Sequence, residues 1–280
     1  MRSGGAATLA LVKTPDVLGI IAGNGVYPRL LAEAARQAGV KKIVAAAFTN
    51  ETDDRLAGLV DGIEWMRVGQ LGKLINCFRN AGVAEAIMAG QIAPKNLFEL
   101  RPDWKMLLLL GRLKRRNAES IFAAIGDELA RDGITLLPAT SFLDDYMAPV
   151  GLIAGRKLNR REEEDVGFGF EIAREMSRLD IGQTVIVKNG TVLAVEAFEG
   201  TNEAIKRGGQ LAREAAIMAK VAKPTQDMRF DVPVIGLETV RVAAEAKLRV
   251  IAVEAGTTLL LERDALIESA ARANISIVAR

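Results

Sequence analysis

Apolar and polar positions along the first half of the chain form alternating blocks that predict strands and helices. Val17–Ala22 is a short apolar run followed by a Gly-Asn-Gly loop, and helical spacing begins after Pro28, a residue suited to a first helical turn. Further apolar runs predict strands at 42–48, 63–68, 84–89 and 134–137. Helical patterns cover 71–81 and the stretch from Pro94 to 132. Strands separated by helices predict a parallel sheet, here in a Rossmann-like N-terminal domain over residues 17–147.

The second half has a different pattern, which predicts a separate mixed α/β domain over residues 148–280. Apolar runs at 183–187 and 191–198 flank Asn189-Gly190, a strong signal for a two-residue type I′ turn in an antiparallel hairpin. Helical patterns follow at 202–216, 237–246 and 263–273, and strand patterns at 217–222, 249–254 and 275–278. The whole chain is therefore predicted to be α/β, with two domains that are not copies of each other.

Composition excludes several kinds of catalysis. Among 280 residues there is no histidine and one cysteine, Cys77. Ser-His-Asp and Cys-His catalysis both need an imidazole, and a structural zinc site needs more nitrogen and sulfur ligands than this chain has. Any metal must therefore be a hard cation on oxygen ligands, such as Mg²⁺, Mn²⁺ or Ca²⁺. A lone cysteine also fits a reducing compartment.

Charge and hydropathy limit the partners. The formal net charge is +2, which gives no case for a nucleic-acid surface. No run of eighteen apolar residues is present, so no membrane-spanning helix is predicted. Residues 1–16 contain an apolar stretch too short for a secretory signal, and we interpret them as a start-site extension.

The loop after the first predicted strand is a candidate phosphate site. Gly23, Asn24, Gly25 and Val26 connect a strand to a helix N-terminus, where backbone N–H groups and the helix dipole favour an anion. Pro28 stands where the dinucleotide-binding fingerprint has its third glycine, so NAD is weakly supported. A nucleotide phosphate or sugar fits better, and the alternative is a tight turn without a ligand.

A second candidate is the segment KPTQDMRFDVPVIG, residues 223–236. Asp227 and Asp231 stand four apart among Lys223, Gln226 and Arg229. Such a dense mixture of charges between apolar strands is costly unless the charges pair or bind a ligand. Without histidine, Asp227 is the best candidate metal ligand; the alternative is a surface loop in which Asp and Arg pair.

Two more segments are candidates for a functional role, and each also has an ordinary structural explanation. Glu196 and Glu199 end a strand, and Thr201 begins a helix that could hold a phosphate and its metal, although helix capping alone explains Thr201. The segment WKMLLLLGRLKRR, residues 104–116, is typical of a buried helix with a solvated basic end. It also suits a segment that contacts acyl chains or an anionic membrane surface.

Four motifs together resemble one family. GIIAGNGVYP, RNAESIFAAIGDELARDGITLLPATSFL, AVEAFEGTNEAI and KPTQDMRFDVPVIG occur in this order, and the likeness runs from Val17 to the C-terminus. In this combination they are similar to the histidine-free UDP-2,3-diacylglucosamine pyrophosphatases of lipid A biosynthesis.

The resemblance implies Mg²⁺-dependent hydrolysis of UDP-2,3-diacylglucosamine to UMP and 2,3-diacylglucosamine 1-phosphate (lipid X). It also implies two domains, the second of them catalytic, with the lipid held between them. We expect a cytoplasmic protein. The resemblance is also compatible with a homo-oligomer and with peripheral contact with the inner face of the bacterial inner membrane.

The resemblance and the motifs together assign roles to individual residues. The uridine and phosphates are expected near 23–26 and at Gly90 and Gln91, at the carboxyl ends of the first-domain strands. Asp227 is expected to bind Mg²⁺, with Glu196 or Glu199 as a further ligand. Asp227, Lys223 and Arg229 are the predicted catalytic residues, with Lys223 and Arg229 on phosphate oxygens. Gln226 and Thr201 are predicted to contact the substrate.

Two alternatives remain at this point. One is a nicotinamide-dependent oxidoreductase, which the first domain favours and which would bind NAD or NADP tightly. The other is a nucleotide-sugar or lipid binding protein without catalysis, which would leave the substrate intact.

Overall fold

A computed structural model describes residues 14–92, 102–114, 117–224 and 226–280. The chain forms two compact units, one that ends at Phe142 and one that runs from Leu143 to Arg280. The predicted start-site extension lies outside the described residues except for its last three positions, as does the first part of the helical pattern predicted after Pro94.

The first unit is built on a five-stranded parallel sheet in the order β3-β2-β1-β4-β5. Its strands are β1 (Val17–Ala22), β2 (Lys42–Phe48), β3 (Gly62–Met66), β4 (Glu85–Ala89) and β5 (Thr135–Leu136). Its helices are α1 (Tyr27–Gln37), α2 (Leu71–Ala81), α3 (Trp104–Arg112) and α4 (Ala118–Arg131). This strand order is the Rossmann order 3-2-1-4-5-6 without its last strand, with the switch point between β1 and β4, and the predicted fold of this region is confirmed.

Burial on both sheet faces explains the continuous apolar runs of the first unit. Five consecutive residues of β1, 18–22, are buried, and so are Leu31 of α1 and Phe78 of α2. Parallel strands covered by helices on both faces need apolar residues at consecutive positions. Each such side chain contributes about 1.5–3 kcal/mol of burial free energy.

The second unit is built on a six-stranded mixed sheet in the order β6-β13-β11-β9-β7-β8, with a small parallel pair β10-β12 beside it. β9, β11 and β13 are parallel, whereas β6, β7 and β8 pair antiparallel with their neighbours. The strands are β6 (Gly151–Ala154), β7 (Thr184–Lys188), β8 (Thr191–Val195), β9 (Ile217–Lys220), β10 (Val234–Ile235), β11 (Val250–Val253), β12 (Leu259–Leu260) and β13 (Ser276–Ala279). The helices are α5 (Arg160–Arg178), α6 (Thr201–Ala212), α7 (Leu237–Glu245) and α8 (Arg263–Arg272). The predicted mixed α/β fold is confirmed.

The predicted hairpin is confirmed in detail. Asn189 and Gly190 both have positive φ, 50° and 69°, as a type I′ turn requires. The Asp165 carboxylate of α5 accepts hydrogen bonds from both of their N–H groups, at 2.8 and 2.7 Å. Turn chemistry and a buried acid from a distant helix therefore fix the same turn.

Two predicted helices are shorter in the structure. The helical pattern up to residue 132 is divided into α3 and α4, because Leu113 leaves helical conformation with ψ of 128° and Asn117 then caps α4. The helix predicted over 202–216 ends at Ala212, because Arg213 and Ala215 have positive φ. Within the described ranges no helix has the length and apolar character needed to cross a membrane.

Candidate active site

Neighbouring strands of the second sheet bring polar residues to one edge. β9 ends at Lys220, and the antiparallel register places Thr184, the first residue of β7, beside it. Glu196 follows β8, and its N–H donates to the Thr184 carbonyl at 2.8 Å. Glu254 follows β11 and donates its N–H to the Lys220 carbonyl at 3.1 Å. Because β9 and β11 are parallel, this is the carboxyl edge where α/β sheets bind ligands.

Lys220 is the central charge of this edge. Its side chain is buried, with 5% of the residue exposed, and Nζ donates to Thr201 Oγ1 at 2.8 Å. Thr201 Oγ1 in turn donates to Glu196 Oε1 at 2.8 Å. Burial lowers the pKa of Lys220, while Glu196 and Asp231 act in the opposite direction. A buried cation with one hydroxyl partner and acids nearby is poised for an anionic ligand.

Glu196 keeps one oxygen of its carboxylate without a partner. The residue is 8% exposed, and Oε2 is buried with no hydrogen-bond partner among the described residues. A buried carboxylate oxygen in this state is costly unless a ligand or solvent molecule satisfies it. Glu199, by contrast, faces Arg207 of α6, and its own backbone N–H and Arg207 lower its pKa.

The loop after β9 carries a tight Asp-Arg pair. Arg229 Nε donates to Asp227 Oδ1 at 2.9 Å, and Arg229 Nη2 donates to Asp227 Oδ2 at 2.6 Å. These bonds, with the backbone N–H of Arg229, lower the pKa of Asp227. Lys223 Nζ is bonded to Asp180 Oδ1 at 2.6 Å. The loop cations that were predicted to bind phosphate are thus held by carboxylates.

Gln226 and Asp231 complete the loop. Gln226 Oε1 accepts from the Lys223 N–H at 2.7 Å, while its Nε2 is buried without a hydrogen-bond partner in the described part of the chain. Burial raises the pKa of Asp231, although Lys223, Gln226 and Lys220 act to lower it. Asp231 therefore belongs to the same electrostatic group as Lys220.

The three predicted metal ligands do not form one cluster. The residues that the structure describes contain no group of three or more carboxylate or thiolate side chains placed to hold a metal ion. Asp227 is occupied by Arg229, Glu199 by Arg207, and only Glu196 has a buried oxygen available. This arrangement does not fit a preformed Mg²⁺ site on Asp227, Glu196 and Glu199, and Mg²⁺ as a cofactor stays a prediction.

The predicted substrate residues of the first unit lie together at the switch point of its sheet. The Asn24 N–H donates to the Gln91 carbonyl at 2.7 Å, the Gln91 N–H returns to Asn24 at 3.2 Å, and the Gly23 N–H donates to Ala89 at 2.8 Å. A Cβ on Gly23 would lie 2.6 Å from the Gln91 oxygen. The loops after β1 and β4 are therefore closed on each other by backbone contacts that need glycine at this point.

These contacts use N–H groups that were predicted to bind phosphate. The backbone N–H groups of Gly23 and Asn24 donate to carbonyls at the end of β4 and in the loop after it, and Gly25 and Val26 complete the turn into α1. Asn24 Nδ2 donates instead to Glu51 at 3.3 Å, and Glu51 is a buried acid just beyond β2. Nucleotide binding by residues 23–26, Gly90 and Gln91 stays a prediction.

Sequence interpretation missed Lys220 and did not select Asp231. Lys220 lies in the apolar run of β9, and a charge inside such a run is the signal that could have identified it. Asp231 was noted only for its spacing from Asp227. Its position near Lys220 depends on how the loop folds back, which spacing does not reveal.

A known protein is similar to nearly the whole chain. UDP-2,3-diacylglucosamine pyrophosphatase LpxI of Caulobacter vibrioides is 32% identical over 266 residues, which cover 90% of this chain and 93% of that protein. The name of this relative fits the main reaction predicted from the sequence, and it corrects the two alternatives. The alternatives of a nicotinamide-dependent oxidoreductase and a binding protein without catalysis are wrong, since the relative is named a pyrophosphatase. The Mg²⁺ dependence included in the predicted function has no support in this match.

Two family models account for the two halves of the chain. The model of the LpxI N-terminal domain matches residues 17–146, and the model of the LpxI C-terminal domain matches residues 149–278. The two matches follow each other in chain order, and the polar edge around Lys220 lies within the second. The chain belongs to the LpxI family.

Proposed function

We propose that this chain is a hydrolase that cleaves the diphosphate bond of UDP-2,3-diacylglucosamine, releasing UMP and 2,3-diacylglucosamine 1-phosphate. The observation that carries the proposal is the buried Lys220, hydrogen-bonded to Thr201 at the carboxyl edge of β9. The name of the Caulobacter relative supports the choice of substrate.

The cations at this edge match the chemistry of a diphosphate. Phosphoryl transfer to water depends on charge neutralisation and on an in-line water more than on a nucleophilic side chain. Lys220 supplies a buried positive charge, and Thr201 begins α6, whose N-terminal dipole favours an anion. Together they bind phosphate oxygens where little solvent screens the interaction.

The ion pairs of the loop exchange partners when the substrate binds. Phosphate oxygens replace Asp227 as the partner of Arg229, and they replace Asp180 as the partner of Lys223. The released Asp227 carboxylate then lies next to the bound diphosphate and orients the attacking water. In this proposal Asp227, Lys223 and Arg229 are catalytic residues, Gln226 contacts the substrate through its side-chain amide, and Lys220 joins them.

The deciding experiment measures UMP release from UDP-2,3-diacylglucosamine by the full chain and by Lys220→Met. Methionine keeps the unbranched shape and most of the length of the side chain and removes its charge, so we expect turnover to fall at least a hundredfold, about 2.7 kcal/mol of transition-state stabilisation. Lys206→Met is the matched control, because Lys206 lies on the exposed side of α6 in a pair with Glu203. Equal turnover in Lys220→Met and Lys206→Met would reject this site.

Metal dependence is measured separately. Turnover is recorded after exhaustive chelation and after addition of Mg²⁺, Mn²⁺ or Ca²⁺. Full activity in the chelated protein would reject the Mg²⁺ prediction and leave the proposed reaction intact. Cytoplasmic location, a homo-oligomer and peripheral contact with the inner membrane stay predictions.

A further inference from the structure

One helix of the first unit has an exposed apolar face. α3 shows Trp104, Leu107 and Leu108 to the outside, with 74%, 48% and 46% of these residues exposed. They lie at helical spacing i, i+3 and i+4, and exposed Gly111 continues the same stripe one turn later. Scattered single apolar residues on a surface need no explanation, but three large ones on one helix face do.

The opposite face of α3 is firmly attached, so the exposed face is a property of the folded unit. Met106 and Leu109 are buried in the core of the first unit. Asp103 caps the helix by accepting from the Met106 N–H at 2.9 Å, and it also accepts from the Gly72 N–H of α2 at 2.7 Å. Lys105 is bonded to Asp132 at 2.7 Å. The helix therefore presents a fixed outer surface.

Positive charge flanks this surface at one end. Arg112 and Lys114 are exposed, and neither forms an ion pair with a carboxylate of the described residues. Two further arginines follow in the sequence outside the described residues. The stripe of Trp104, Leu107 and Leu108 itself carries no charge. A tryptophan and leucines on one face with cations at the border match the requirements of an anionic lipid surface.

The size of the face argues against a second copy of the chain as its partner. A stable dimer buries about 800 Å² on each partner. Even an aromatic side chain buries only about 150–250 Å² when fully covered, and these three side chains are already partly buried, so the stripe falls well short of that area. An interface between copies would also gather the cations of both chains.

We infer that the outer face of α3, made of Trp104, Leu107, Leu108, Arg112 and Lys114, docks the protein on an anionic lipid bilayer surface. The three apolar side chains enter the boundary between headgroups and acyl chains, and the two cations contact anionic headgroups. This inference goes beyond the proposed reaction and does not depend on it, since it concerns binding to lipid without substrate.

The test is cosedimentation of the full chain with vesicles of phosphatidylcholine alone or with about 30% phosphatidylglycerol, at low salt and at about 0.5 M salt. We expect binding to the anionic vesicles and a loss of most of it at high salt. The triple variant Trp104→Gln, Leu107→Gln, Leu108→Gln is expected to bind at least tenfold more weakly. Arg112→Gln and Lys114→Gln are expected to weaken binding about fivefold each.

The matched control replaces exposed leucines elsewhere, with Leu179→Gln and Leu211→Gln, which are 60% and 62% exposed in the wild type. These changes are expected to leave vesicle binding unaltered, and circular dichroism checks that every variant is folded. Failure of the wild type to bind anionic vesicles, or equal binding by the triple variant, would overturn the inference. So would a sedimentation-equilibrium result in which the triple substitution dissociates a dimer while vesicle binding persists.

Discussion

Lys220 is a charged residue placed where the core of the second unit would otherwise continue. Its neighbours in β9, Met218 and Ala219, are fully buried. Thr201 accepts a hydrogen bond from Lys220 and donates one to Glu196, so one hydroxyl joins a buried cation to a buried carboxylate. Burying opposite charges stabilises a protein little as a pair, but removing one partner leaves the other uncompensated.

The first prediction separates the structural role of Lys220 from its role in activity. Lys220→Met should lower the free energy of unfolding by about 3 kcal/mol, because Glu196 is left as an unpaired buried charge. Adding Glu196→Gln should recover more than half of this loss without restoring UMP release. Urea unfolding of the single and double variants measures the recovery.

The matched control for this cycle is the exposed pair Lys206–Glu203, replaced by Met and Gln. An exposed pair is worth less than about 1 kcal/mol, so the corresponding changes should be small. The prediction is contradicted when Lys220→Met unfolds at the wild-type urea concentration, or when Glu196→Gln adds a further loss of stability.

At the scale of elements, the backbone hydrogen bonds between the loops after β1 and β4 require the two backbones to approach closely. Gly90 has φ of 89°, and a Cβ there would lie 2.5 Å from the Asn24 carbonyl oxygen. Gly25 also has positive φ, 92°, but nothing lies within 4 Å of its Cβ position. Both glycines therefore adopt a backbone conformation that other residues rarely adopt. Only at Gly90 would a Cβ also clash with neighbouring backbone.

The second prediction uses this difference. Gly25→Ala should cost about 1–2 kcal/mol for the left-handed conformation alone. Gly90→Ala should cost at least about 3 kcal/mol, because the two loops must also separate. Urea unfolding of both variants tests the comparison, and equal losses would contradict the steric requirement.

The third prediction concerns the β7-β8 hairpin. Asp165→Ala removes the acceptor for two turn N–H groups and should destabilise the protein by about 2 kcal/mol, since bonds to a charged acceptor are strong and the exposed turn partly rehydrates. Glu164→Ala is the control, because Glu164 forms only an exposed pair with Arg160. Thermal unfolding of both variants gives the difference, and equal midpoints would show that Asn189-Gly190 alone fixes the turn.

Local patterns were sufficient to predict most elements and only part of the site. The sequence predicted the bounds of β1, β2 and α2 as they are found, because buried parallel strands and amphipathic helices carry their periodicity in consecutive residues. It missed the end of α6, since Arg213 adopts positive φ without a glycine to mark it. The pairing of Asp227 with Arg229 was one of two alternatives. Whether Asp227 pairs with Arg229 or is available to bind a metal depends on side-chain geometry, which the spacing of residues in the sequence does not reveal.

At the scale of the whole molecule, the absence of histidine simplifies the dependence of stability on pH. The ordinary pKa values of carboxylates and of basic side chains leave a gap around neutral pH, and burial raises the pKa of Cys77 further away from it. Asp61, Glu162 and Asp227 have lowered pKa values in the folded state. Each contributes stability that is present above its unfolded pKa and is lost as pH falls through its folded pKa.

The pKa of Asp231 shifts in the opposite direction on folding, and the fourth prediction follows from this shift. Its pKa is raised from the ordinary value of 3.8, first by burial, so between 3.8 and its folded value the unfolded chain releases the proton while the folded chain keeps it. The contribution of Asp231 therefore falls as pH rises through this window. Asp231→Asn should gain stability relative to the wild type as pH rises above 3.8, reach a constant gain above the folded pKa, and show no gain below 3.8.

Urea unfolding from acid to neutral pH measures the difference, with the exposed Asp264→Asn as control. A difference between Asp231→Asn and wild type that is independent of pH would show that burial does not hold the carboxyl of Asp231 in its protonated form.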